Sequence, residues 1–180
     1  MKKVLKSILF IVFGTLLASC MEINGSGYSS LTESDKQHVK KFTSTLGTLQ
    51  NDGNLYQVTV EQVKEYIEKE RNVLVYEFLP FCSGESGRSP MEVKVYCDGK
   101  DFKCLVIASV YDGIFPIPTS NTFPMLVIDH QVYGTDNYQE YSNKFYQQLT
   151  GSNDESRKES SFHLFSKGKY EHSLVSLMDL

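Results

Sequence analysis

Between Thr59 and Gly151 the sequence alternates helix-period and strand-period apolar patterns, and no other feature restricts the fold as much. Thr59 with Gln62 forms a capping box, and Val60, Val63, Tyr66 and Ile67 then fall on one helical face. Arg71-Asn72 ends that helix. Val73 to Leu79 is β-branched and aromatic and stops at Pro80, as a strand does. A helix is predicted within 83–98. Cys104 to Tyr111 is a nearly continuous apolar run, the pattern of a strand covered on both faces. Met125 to Asp129 is a further strand, and His130-Gln131 turns into a short Val132-Tyr133 strand. Thr135 or Asp136 opens a last helix whose Tyr138, Tyr141, Phe145 and Leu149 share a face, with Gly151 as its stop. The order α-β-α-β-loop-β-β-α predicts an α/β layered domain.

The flanks are less regular. Residues 21–31 are rich in Gly and Ser and read as a flexible tether, in which the triplet Asn24-Gly25-Ser26 is accidental. Val39, Phe42 and Leu46 recur at helical spacing, which predicts a helix from Ser34 to Leu46, an N-terminal helical extension. Asn51 to Asn54 is a turn. Residues 152–161 form a polar linker, after which Phe162–Phe165 and Tyr170–Val175 flank Ser166–Lys169 as a terminal hairpin.

The first residues say where such a chain works. Lys2, Lys3 and Lys6 precede the apolar run Ile8 to Leu17, which is too short to span a bilayer, where roughly 20 apolar residues are needed. These are the proportions of a secretory leader. The ending Leu17-Ala18-Ser19-Cys20 resembles the lipobox of bacterial lipoproteins. That resemblance implies cleavage before Cys20, lipids on Cys20 and anchoring to a membrane of the cell envelope. Met21 stands where aspartate marks inner-membrane retention in some bacteria, which points to the outer membrane. The expected organisation is a signal peptide over 1–19, lipidated Cys20 and tether over 20–33, a domain with an N-terminal helix over 34–151, and linker and hairpin over 152–180.

Three of the 18 basic residues lie in the leader and none of the 22 acidic ones, so the remainder carries −7. That balance argues against nucleic acid and against adhesion to anionic membranes by charge; attachment falls to acyl chains. Apart from Cys20 the cysteines are Cys82, Cys97 and Cys104, an odd number in an oxidising compartment. Cys97 and Cys104 sit at a helix end and a strand start, close enough in sequence for a disulfide, which leaves Cys82 as the odd thiol.

The segment 59–151 resembles the thioredoxin-like fold. Strand 73–79 runs into Phe81-Cys82, as that family's central strand runs into its nucleophilic cysteine. Pro90 lies eight residues further, where the family's helix carries a proline. The next strand ends near Asp112, and Thr122-Phe123-Pro124 before Met125–Asp129 looks like the family's cis-proline segment. The likeness implies a three-layer α/β/α sandwich with Cys82 as nucleophile, Pro124 as the substrate-positioning turn facing it, and Arg88 as thiolate stabiliser. The redox motif departs, for Cys82-Ser83-Gly84-Glu85 has a glutamate where the resolving cysteine belongs. Ordinary dithiol exchange needs that second thiol. Two helix starts compete here: Ser83 with a kink at Pro90, or the capping box Ser89-Pro90-Met91-Glu92 after a loop, which suits Ser83, Gly84, Ser86 and Gly87 better.

His38, His130, His163 and His172 have no metal-ligand spacing, and no phosphate-binding loop occurs, so no metal or cofactor is expected. The apolar loop Gly113–Phe123, with Phe115, extends a peptide-binding groove if it does not simply pack on the core. The expected function is a binding or structural module without dithiol turnover, its partner an extended peptide or protein near Phe115 and Pro124. The alternative is a monothiol oxidoreductase using Cys82.

Overall fold

The computed structural model describes residues 25–82, 87–118 and 123–179. The leader, Cys20 and the Ser83–Glu85 part of the degenerate redox motif lie outside these residues. The described residues form one seven-stranded mixed sheet with helices on both faces, so the α/β layered class holds. Its strands are β1 (Val39–Lys41), β2 (Leu55–Val58), β3 (Asn72–Phe78), β4 (Lys103–Ala108), β5 (Met125–Ile128), β6 (Phe162–Ser166) and β7 (Lys169–Leu174). Its helices are α1 (Glu33–Gln37), α2 (Val60–Lys69), α3 (Pro90–Gly99), α4 (Tyr138–Thr150) and α5 (Glu155–Lys158).

The spatial order is β1-β2-β5-β4-β3-β6-β7. Strands β1 to β5 run parallel, while β6 returns antiparallel beside β3 and β7 pairs with β6. Alternation along the strands sorts the core into two layers. Val73, Val75, Ile107 and Ile128 meet α2 and α4 through Val63, Ile67, Tyr141, Phe145 and Tyr146. Leu74, Tyr76, Val106 and Val127 meet α3 through Val93 and Cys97, together with Ile114, Ile117 and Phe123 of the β4–β5 crossing.

Local signals set the helix ends. Both sides of the Thr59/Gln62 box form at the start of α2. Ser89 and Glu92 cap α3 in the same way, with Pro90 at the first helical position. Gly151, left-handed at φ 70°, stops α4. The hairpin β6–β7 forms as predicted around Lys167 and Gly168, both at positive φ, as the tightest hairpin turns require.

Five expectations need correction. The helix over 34–46 is only the one-turn α1, after which Val39–Lys41 adds edge strand β1 and Phe42 and Leu46 enter the core. Pairing with β2 overrides the helical spacing: Leu55 N–H donates to the His38 carbonyl and Phe42 N–H to that of Gln57. Strand β2 itself was hidden between a turn and a helix cap. Val132-Tyr133 is part of a 3-10 turn, not a strand. The polar linker contains α5 and buries Arg157 and Ser160. The C-terminal hairpin is no tail, because β6 is an interior strand with Phe162 and His163 fully buried. The tether is docked from residue 25 onward: Ser26 is buried and Tyr28–Ser30 forms a 3-10 turn.

Candidate functional site

In open parallel sheets the crevice outside the carboxyl ends of the strands is the usual place for ligands. Here that edge gathers the residues after β3 (Leu79–Cys82), β4 (Ser109–Asp112) and β5 (Asp129-His130), and the amino ends of α3 and α4. Cys82 is half-buried in a turn where its N–H donates to the Leu79 carbonyl, 3.0 Å away. It lies beside Tyr76, whose hydroxyl donates to the Arg88 carbonyl at 2.7 Å. Burial first, then the neighbouring Cys82 and Glu92, raises the Tyr76 phenol well above its usual range. Cys82 and Arg88 therefore meet around one tyrosine.

The expected pairing with Pro124 fails. Pro124 immediately precedes β5, which is parallel to β4 and in turn to β3, so it sits towards the amino edge while Cys82 lies beyond the carboxyl edge. The sheet order adds to the separation, because β5 and β3 flank β4. Among the described residues the cis X–Pro bond is Phe115–Pro116, not the one before Pro124. Arg88 is also not positioned as the resemblance implies: its Nε is buried, and its charge acts on Glu92, which Ser89 hydrogen bonds chiefly hold below the usual carboxylate range. Ser89 and Glu92 cap the start of α3, and Ser89 stands seven residues beyond Cys82, so the thiol is not part of the helix's first turn.

Pro116 belongs to the crossing between β4 and β5, which runs over one face of the sheet. Beside the first turn of α3 this crossing borders a groove of about 360 Å3, lined by Phe78, Pro90, Met91, Ile114, Ile117 and Met125, with Pro116 and Pro118 exposed at its rim. Gly113 adopts φ 72°, and a Cβ there would come within 3.1 Å of Pro80, so glycine lets the crossing lie close against the end of β3.

Sequence reasoning missed two polar groups at the carboxyl edge. The first is built on the docked N-terminal segment. The Ser26 hydroxyl donates to Asp136, and the Ser26 carbonyl accepts from the Tyr111 N–H at 2.7 Å. The Tyr111 hydroxyl accepts from Gln57 at 2.7 Å and lies 3.3 Å from His130 Nδ1, while His130 Nε2 is 3.7 Å from Asp136. Tyr28 packs edge-on to Tyr111. The crevice is thus filled by the chain's own residues 25–30. The second is a line across β4, β3, β6 and β7. Ser109 donates to Glu77 at 2.8 Å, Glu77 lies 3.9 Å from the buried His163, and His163 Nδ1 is 2.7 Å from Ser173. The signals existed: Glu77 and His163 each interrupt an apolar strand, and a polar residue there needs a buried partner.

At the opposite, amino edge, Cys104 and Pro124 line a cavity of about 420 Å3 with Lys94, Asp98 and Tyr66. Cys82, Cys97 and Cys104 are free thiols in this structure, so the possible Cys97–Cys104 bridge stands open in it. Among the described residues no cluster of three His, Cys, Asp or Glu side chains could hold a metal, and no helix is long and apolar enough to cross a membrane. No family model matches the chain, and no curated protein or solved structure matches it significantly.

Proposed function

We propose that the protein is a lipid-anchored envelope protein whose α/β domain is a binding module without dithiol turnover. The observation that carries the reading is the apolar groove between α3 and the Gly113–Pro118 crossing. Its wall of Phe78, Met91, Ile114 and Ile117, beside exposed prolines, fits an extended apolar peptide segment; among the described residues its lining holds no charged side chain for a nucleotide or sugar phosphate. The lipobox resemblance at Leu17–Cys20 supports anchoring. A thioredoxin-like core is the finer architecture we propose: β2-α2-β3-α3-β4, then α4, then the antiparallel β6–β7 pair follow such a domain's path, with β5 intercalated.

Two measurements test the proposal. Metabolic labelling with a fatty-acid analogue should mark the protein and lose the label in Cys20→Ala; an unlabelled wild type ends the anchoring reading. Photo-crosslinking from position 117 in the native envelope should trap a peptide or protein through an apolar segment, and Ile117→Arg should abolish groove binding in solution. Equal capture by Ile117→Arg, measured with a second probe at position 91, would end the groove reading.

The monothiol alternative keeps one favourable observation, a half-buried Cys82 beyond a central strand. It requires alkylation of Cys82 to titrate well below the free-thiol value of about 8.5. An ordinary profile removes it.

A further inference from the structure

We propose that Cys97 and Cys104 are a redox pair that closes into a disulfide by exchange with a small-molecule or protein disulfide, locking one wall of the amino-edge cavity. The inference goes beyond the binding function and does not depend on the lipid anchor. Cys97 lies in the last turn of α3 and is wholly buried; Cys104 is the second residue of β4 and faces the cavity. The six residues between them fold back tightly, for the Lys100 and Phe102 N–H groups both donate to the Cys97 carbonyl, at 3.1 and 3.0 Å. Asp101 takes the left-handed conformation, φ 58°, that completes the reversal. Both side chains pack in one apolar cluster, and Cys104 shares the α3-facing side of β4 with Val106.

Accessibility orders the steps. Cys104 Sγ, as the thiolate, attacks one sulfur of the incoming disulfide, and the other sulfur leaves as a thiol after protonation. Cys97 then loses its proton and attacks Cys104 Sγ, releasing the second thiol. Two cysteine thiols are oxidised and one disulfide is reduced to two thiols. The adjoining Cys97 thiol, followed by burial, keeps the Cys104 thiol protonated far above its ordinary range. Exchange is therefore slow, and the pair suits a structural lock rather than a turning-over catalyst.

The reduced full chain is incubated with glutathione disulfide, quenched with N-ethylmaleimide and mapped without reduction by mass spectrometry. The expected product links the Cys97 and Cys104 peptides, and its thermal midpoint rises by several degrees, a shift absent in Cys104→Ser. Cys104→Ser carries the comparison because replacing the wholly buried Cys97 also tests packing. Separate maleimide adducts on both cysteines, or a bridge to Cys82, would overturn the pairing. Phenylarsine oxide, which bridges adjoining thiols, gives an independent readout on the folded reduced protein: protection of both cysteines from alkylation supports the pair, and protection of neither sinks it.

Discussion

The two faces of the sheet are covered by different means. One carries α2 and α4, whose stripes put Val63, Ile67, Tyr141, Phe145 and Tyr146 onto Val75, Ile107 and Ile128 with little exposure. The other carries α3 and, between β4 and β5, a crossing in which the described residues form no regular helix. A helix satisfies its own backbone and offers a continuous stripe to the sheet, whereas an irregular crossing spends backbone groups on turns and covers the sheet unevenly. The groove of about 360 Å3 lies on the unevenly covered face. Concave space arises where the described residues of the crossing form no helix.

The largest expected effect is alkaline, and it falls on both faces, because burial also raises the Tyr76 phenol on the α3 side. Burial is the main cause that raises the Tyr141 and Tyr146 phenols above the ordinary 10.0, with Tyr111 next for Tyr141 and Glu77 next for Tyr146. A folded pKa above the unfolded one means that the contribution is complete below pH 10 and is lost as pH rises past it. Chemical denaturation should show stability falling steeply above pH 10, with the tyrosines of the helical face ionising only as the chain unfolds. Ionisation of all tyrosines near 10 in the folded state would show that neither face buries its phenols.

Next come paired truncations. Phe145→Ala beneath the helices should cost about 3–5 kcal/mol and Ile117→Ala beneath the crossing about 2 kcal/mol, because the crossing can settle into the space. Equal losses in urea denaturation would show that both faces are packed alike. Gly27→Ala should cost about 1–3 kcal/mol, since Gly27 holds φ 76° and a Cβ would meet the Asp112 side chain at 2.6 Å. Its readout is faster proteolysis or hydrogen exchange confined to residues 25–31. Smallest is Ser89→Ala, about 1 kcal/mol from the lost α3 cap, again by urea denaturation.

Legibility followed distance along the chain. The capping boxes at Thr59/Gln62 and Ser89/Glu92, the stop at Gly151 and the turn at Lys167-Gly168 involve groups within four residues of each other, and each formed where its residues stand. Helix α4 was readable for the same reason: its apolar spacing alone defines the buried stripe. The site was half readable. Cys82 falls where the end of β3 was expected to put it, and the apolar crossing does line a groove. The facing proline was misplaced, because nothing in Phe123–Asp129 says which neighbours β5 takes.

Residue order thus settled which segments become helices and strands, where most of them stop, and that apolar faces must be layered on a sheet. Strand partners came from contacts between distant segments. β5 slipped between β2 and β4, β6 closed against β3 from almost ninety positions away, and residues 25–30 filled the carboxyl crevice. Each choice depends on the summed burial and hydrogen bonding of surfaces that exist only once the chain has collapsed, and no short window of sequence carries that sum.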